Sequence, residues 1–256
     1  MTADFPDHFS AVADAYAAAR PEYPGALYDA LAATVQATAR VWEPGCGSGQ
    51  ATRGLSQRFG HVHASDPSSR QLAAHWSRDP AQPGAERVVL AATPAENPAL
   101  GDASVELVAV AQALHWFDRV RFFAQCRRVL APGGVLAAWG YRDFLPPEGM
   151  TGAVASFRAQ IEPHWPSQRD DVDAQYAGYD WPFEALPAPE LWLETEWSLP
   201  QFLRYLASMS ASARCQAATG DDAVARHGAA LAAAWGDPAR PRILRWPLFL
   251  HLRRKP

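Results

Sequence analysis

Glu43, Gly45, Gly47, Gly49 and Asp66 are the residues whose types and spacing point most directly to chemistry. The run Val41-Trp42-Glu43-Pro44-Gly45-Cys46-Gly47-Ser48-Gly49 reads as a short strand entering a glycine turn, with a helix starting near Gln50. Alternate glycines lack Cβ atoms, so such a backbone can turn tightly and lie against a ligand. The dinucleotide pattern G-x-G-x-x-G would need glycine where the chain carries Gln50. Glu43, beside the turn, would repel a pyrophosphate and attract a ligand carrying positive charge. Asp66 ends a second short strand, where a carboxylate can accept both hydroxyls of a ribose.

The elements that must position these residues follow from periodicity. Pro24 can open a helix, and Leu27, Leu31 and Val35 recur at helical spacing to about Ala39. A helix from Gln50 to Phe59 turns Leu55 and Phe59 inward. Val62 to Asp66, Arg87 to Ala91, Val105 to Val110 and Val135 to Trp139 read as further strands. Pro67-Ser68-Ser69 opens one intervening helix, and Asp118 is a plausible N-cap for another, which Pro132-Gly133-Gly134 stops. Alternating strands and helices at short spacing predict a doubly wound, mostly parallel α/β sheet.

After Tyr141 the pattern changes. Residues 142–190 are rich in proline and aromatics and read as a cap insertion. Leu191 to Trp197 alternates as a strand, helices are predicted near 200–208 and 221–235, and Ile243 to Leu252 forms a last strand. Pro247 within it predicts an edge or a bulge. The chain thus divides into a leader (1–23), a binding core (24–141), the cap (142–190), and a C-terminal part (191–256) that completes the sheet and the pocket.

The chain of 256 residues suits one large α/β domain, or a domain plus a cap. A net charge of −4 offers no basic surface for nucleic acid. Neither a signal peptide nor a membrane-spanning run is read, and three widely spaced cysteines fit a reducing cytoplasm and no metal site. Lys255 is the one lysine against many arginines, which we read as the imprint of a GC-rich bacterial genome. Ten tryptophans invite two readings, core packing or an aromatic-walled pocket in the C-terminal part. Nothing in the sequence sets an oligomeric state.

Several motifs occur in order: Glu43 to Gly49, Asp66-Pro67-Ser68, Thr93-Pro94-Ala95-Glu96, Val110-Ala111-Gln112-Ala113-Leu114-His115-Trp116-Phe117-Asp118, and Arg127 to Gly134. Through them the chain resembles the class I S-adenosylmethionine-dependent methyltransferases, in the broad small-molecule group called type 11. The likeness covers residues 8 to 142 well and the remainder loosely. Arg20-Pro21-Glu22-Tyr23-Pro24 and Leu114-His115-Trp116-Phe117 look like the trans-aconitate methyltransferase subgroup. The resemblance implies a Rossmann-like, seven-stranded fold and S-adenosyl-L-methionine as cofactor. It implies cofactor contacts from Glu43, Gly45, Cys46, Gly47, Gly49, Asp66, Pro67, Pro94, Ala95, Glu96, Ala111 and Gln112. Tyr16, Arg20, Tyr23, Trp116, Trp139 and Tyr141 are candidates for a lid and the acceptor side. His115 is a candidate base or substrate contact. The implied activity is in-line methyl transfer to a small molecule, with a carboxylic acid as one candidate. Two other classes compete: a nicotinamide-dependent oxidoreductase, and a binding module without turnover.

Overall fold

The computed structural model describes residues 21–256. Eight strands form one sheet in the order β3-β2-β1-β4-β5-β8-β6, with β7 also paired to β8. The strands are β1 (Arg40–Pro44), β2 (His61–Ser65), β3 (Val88–Ala91), β4 (Val105–Ala111), β5 (Leu130–Tyr141), β6 (Glu184–Leu186), β7 (Leu191–Trp197) and β8 (Arg242–Arg254). β1 to β5 are mutually parallel, and β8 runs antiparallel to β5, β6 and β7. The eighth strand beyond the seven expected is the three-residue β6.

Strand residues sort alternately into two apolar layers, as the two-residue period of a strand requires. Val41, Leu107, Ala109, Val135 and Ala137 face one layer. Trp42, Val108, Val110, Leu136 and Ala138 face the other. The first layer is covered by α1 (Gly25–Ala32), α2 (Gln50–Arg58), α3 (Ser69–Ala73), α5 (Thr151–Ile161), α7 (Leu199–Ala207), α8 (Ser210–Thr219) and α9 (Ala223–Trp235). The second is covered by α4 (Arg119–Val129), by Val172 on α6 (Arg169–Asp173), and by Tyr176 and Tyr179 after it. Burying both faces explains why residues 107–111 of β4 and 135–141 of β5 read as continuous apolar runs.

Helix ends follow local chemistry. Asp118 caps α4 by accepting the Arg121 amide at 3.1 Å, and Ser68 caps α3 by accepting the Gln71 amide at 3.3 Å. Lys255 Nζ donates to the Arg127 and Leu130 carbonyls, each at 2.6 Å, where α4 gives way to β5. A cation there also meets the negative end of the helix dipole.

Three expectations needed correction. The first helix ends at Ala32, short of Ala39, and the Thr34 hydroxyl donates back to the Leu31 carbonyl at 2.7 Å. α8 was not foreseen; its sequence is small and mixed, and only Ala211, Ser212 and Cys215 are buried. The strand holding Pro247 is not a sheet edge, because β8 lies between β5 and β7; the register does shift by one residue there, between Tyr141↔Leu248 and Leu145↔Arg245. Pro247 falls just past Leu248, where the β5 ladder ends. The Arg245 carbonyl accepts the Leu145 amide on that side. Pro247, two residues on, therefore turns its hydrogen-free nitrogen to the same unladdered side.

No described helix is long and apolar enough to cross a membrane. Of the six tryptophans after residue 150, Trp235 and Trp246 are core, Trp192 is 47% exposed, and Trp165 lines a cavity.

Candidate active site

The strand order reverses between β1 and β4, and ligands of wound sheets bind outside the carboxyl ends of strands at such a point. A cavity of about 540 Å³ lies there, roomy enough for a nucleoside-sized ligand.

Its first wall is the loop between β1 and α2. Gly45, Gly47 and Gly49 hold φ of 67°, 55° and 91°, which L side chains rarely adopt. A Cβ on Gly45 would lie 2.9 Å from Ala113 Cβ, and one on Gly49 only 2.3 Å from His75 Nε2. At these two positions the missing side chain makes room for the protein itself, not for a ligand. At Gly47 the nearest atom to such a Cβ would be Gln71 Oε1, at 3.8 Å. Gly47 is therefore where the loop backbone lies open.

Asp66 ties that wall to β2. Its Oδ2 accepts the Gly47 amide at 3.0 Å and its Oδ1 the Ser68 amide at 2.9 Å. A carboxylate offers about four acceptor positions, so these two amides do not exhaust it. Glu43 is 1% exposed, and its Oε2 has no hydrogen-bond partner among the described residues. Burial pushes its pKa up to about 8; the Thr52 hydroxyl opposes this and the Asp66 charge reinforces it. A buried carboxyl of this kind ionises readily only when a cation enters beside it.

The far wall comes from the end of β4. Gln112 holds φ of 51°, and its side-chain amide pairs with the Tyr141 backbone, accepting at 2.9 Å and donating at 3.1 Å. This pairing extends β4 alongside β5 and holds the Gln112 side chain at the cavity wall, with one amide N–H beyond those it uses.

A second, smaller cavity of about 80 Å³ shares Gln112, Trp116 and Tyr141 with the first. Its other walls include His115, Arg142, Asp143, Trp165, Arg169, Tyr205 and Met209. Arg169 bonds Asp143 at 3.0 Å and Asp173 at 3.0 Å, and lies over the Trp165 ring at 4.5 Å. His115 Nδ1 lies 3.1 Å from the Tyr176 hydroxyl. Burial raises the pKa of that hydroxyl, so the phenol keeps its proton and can donate it to Nδ1. The neutral imidazole then carries its proton on Nε2. Burial pushes the His115 pKa down to about 4.

The structure brings Tyr23, Glu43, Gly45, Cys46, Gly47, Asp66, Pro67, Ala95, Ala111, Gln112, Trp116 and Tyr141 to one cavity. Four other candidates lie off its wall. Gly49 backs onto His75 and Trp76. Glu96 is buried and accepts the Asp118 amide at 2.7 Å, which anchors the start of α4. Pro94 sits behind Ala95 in the same turn, and Trp139 is fully buried, edge-on to Tyr23 at 5.9 Å. Tyr16 and Arg20 lie outside the described residues. Cys46 has its thiol pKa pushed well up by burial, which removes it as a nucleophile.

Ser48, Ser68, Arg70, Gln71, Phe117 and Gln168 also line the cavity. Arg70 and Gln71 follow Asp66 closely enough to have been inferred from the ribose position. Gln168 belongs to the segment read as the cap, and no local signal marks it.

The unpartnered Glu43 oxygen, the open backbone at Gly47 and the Asp66 carboxylate fit the cofactor that the resemblance implies. S-adenosylmethionine carries a sulfonium, an ammonium and a ribose diol. Glu43 would meet positive charge, and Asp66 the diol.

Comparison with known proteins agrees. The family described as "Methyltransferase domain" matches residues 42–138. A solved structure of a candidate type II methyltransferase from Anaeromyxobacter dehalogenans is 38% identical. It superposes with a TM-score of 0.83 over 92% of this chain and 97% of that one. A candidate methyltransferase of Dictyostelium discoideum is 27% identical, over 80% of this chain and 78% of its own. An uncharacterised methyltransferase of Mycobacterium tuberculosis is 38% identical over 53% of each chain. The chain therefore belongs to the class I S-adenosylmethionine-dependent methyltransferases.

Proposed function

We propose that the protein methylates a small carboxylic acid bound in the second cavity. The observation that carries this reading is the junction of the two cavities at Gln112, Trp116 and Tyr141. It allows an acceptor and a methyl donor to meet across one shared wall. Around the smaller cavity lie two guanidiniums, Arg142 paired with Asp173 and Arg169 paired with Asp143 and Asp173. A guanidinium has five N–H donors, so these arginines can still donate to an anionic acceptor. The leader pattern around Arg20 supports the same class, since arginine pairs bidentately with carboxylates.

When bound, S-adenosylmethionine supplies a methyl group on a positively charged sulfur. The protein's share is to orient the acceptor and exclude water. A carboxylate oxygen already has the lone pair that forms the new bond, and it loses no proton. No base is then required, which suits a His115 that is neutral and weakly basic. We assign its Nε2–H a donor role toward the acceptor. The acceptor compartment draws on both 142–190 and 191–256, through Trp165 and Arg169 in one and Tyr205 and Met209 in the other. We place the protein in the cytoplasm of a bacterium.

A panel of small acids, phenols and amines with radiolabelled methyl donor tests the proposal. Label that is released as methanol by mild base is expected, as from a methyl ester. Label retained in a base-stable ether or amine would overturn the acid assignment while keeping the methyltransferase.

A further inference from the structure

We propose that His75 is a positioning residue of the cofactor site. Through Thr52 it fixes the orientation of Glu43, the acid placed for the cofactor's positive charge. The proposal rests on the cofactor reading of the first cavity and goes beyond it, since neither His75 nor Thr52 lines that cavity.

The chain of hydrogen bonds has a definite direction. The Ser77 backbone N–H donates to His75 Nδ1 at 3.2 Å, and the Ser77 hydroxyl lies 2.9 Å from the same nitrogen. Nδ1 is therefore an acceptor, and the neutral ring carries its proton on Nε2. His75 Nε2 lies 3.1 Å from Thr52 Oγ1, so Thr52 accepts there. Its single proton is then directed to Glu43, whose ionised form the Thr52 hydroxyl favours. His75 is 2% exposed and Thr52 fully buried, so water does not compete for these partners.

The same segment holds the glycine loop from outside. The Trp76 amide donates to the Ser48 carbonyl at 3.3 Å. Gly49 has no Cβ because the His75 and Trp76 rings occupy that space. One short stretch thus sets the loop backbone and, through Thr52, the acid beside it.

The charged and titratable groups around Glu43 come from several elements. Asp66 follows β2, Cys46 lies in the loop, and Tyr28 projects from α1. His75 is the member of this set that reaches Glu43 through a hydroxyl relay. It stays neutral near pH 7, because burial, assisted by Arg78, pushes its pKa down to about 4.

Calorimetric titration with S-adenosylhomocysteine tests the relay. Thr52→Val and His75→Phe are each expected to weaken binding about five- to tenfold, and the double variant no more than either. In a Glu43→Gln background the same substitutions are expected to change affinity less than twofold. Losses of equal size in both backgrounds would mean that His75 only supports the fold. Nitrogen-15 spectra of the ligand-free protein give a second readout, independent of any ligand. A neutral His75 protonated on Nε2 is expected, and protonation on Nδ1 would overturn the proposal even if His75→Phe fails to fold. If the wild type shows the Nε2 tautomer and does not bind S-adenosylhomocysteine, the cofactor reading falls and takes the positioning role with it.

Discussion

Asp66 accepts the Gly47 amide through Oδ2 at 3.0 Å, so the acid placed for a ribose also builds the loop that faces it. Binding and folding are coupled at this residue. Asp66→Asn keeps the shape and turns one oxygen into a donor, which cannot accept an amide. A stability loss of about 1–3 kcal/mol is expected, together with at least tenfold weaker S-adenosylhomocysteine binding. Urea denaturation and calorimetry read the two effects separately. Weaker binding at unchanged stability would show that the amide bonds contribute nothing to the fold.

Glu43 makes stability depend on pH with an unusual sign for an acid. Its carboxyl is pushed from 4.5 up to about 8, so between those values the folded state keeps a proton that the unfolded chain has lost. Folding stability contributed by this group is then greatest below pH 4.5, falls as pH rises through the window, and levels off above about pH 8. Glu43→Gln is expected to remove that slope. Denaturant midpoints of the ligand-free protein at pH 6, 7 and 8 test this, and parallel curves for wild type and variant would contradict it.

Gly49 is set by its protein neighbours. Gly49→Ala places a Cβ against His75 and Trp76 in a backbone with φ of 91°. The expected loss is at least about 2 kcal/mol from strain and overpacking. Adding His75→Ala removes one of the two rings and should recover part of it. A fully additive pair in denaturation would mean that backbone strain alone sets the cost.

His115 and Tyr176 distinguish a donor from a base. Gln175 and Tyr176 both hold positive φ, at 53° and 58°, a strained turn that brings the Tyr176 hydroxyl to His115. For a donor, His115→Gln should retain more activity than His115→Ala, and no histidine-dependent limb should appear between pH 6 and 8. Tyr176→Phe frees the tautomer and should raise KM for the acceptor several-fold with a smaller change in kcat. Equal, near-complete loss in His115→Gln and His115→Ala would favour a base instead.

The wound sheet, the glycine loop and the positions of Glu43 and Asp66 were legible in the sequence because they depend on local rules. A strand has a period of two, a cap needs an oxygen, and a tight turn needs glycine. Ala111 and Gln112 were placed by the end of their strand alone. Only the tertiary structure decided which neighbours meet those residues. It put His75 and Trp76 behind Gly49, gave Glu96 to the Asp118 amide, and paired the Gln112 amide with Tyr141. It also set Trp165 and Tyr205 around one small cavity and buried Trp246 against Tyr205, to whose hydroxyl it donates at 2.9 Å. The physical reason is range. The local features arise from interactions within a few residues, whereas each of these contacts joins residues more than twenty positions apart, which the packing of layers alone brings together.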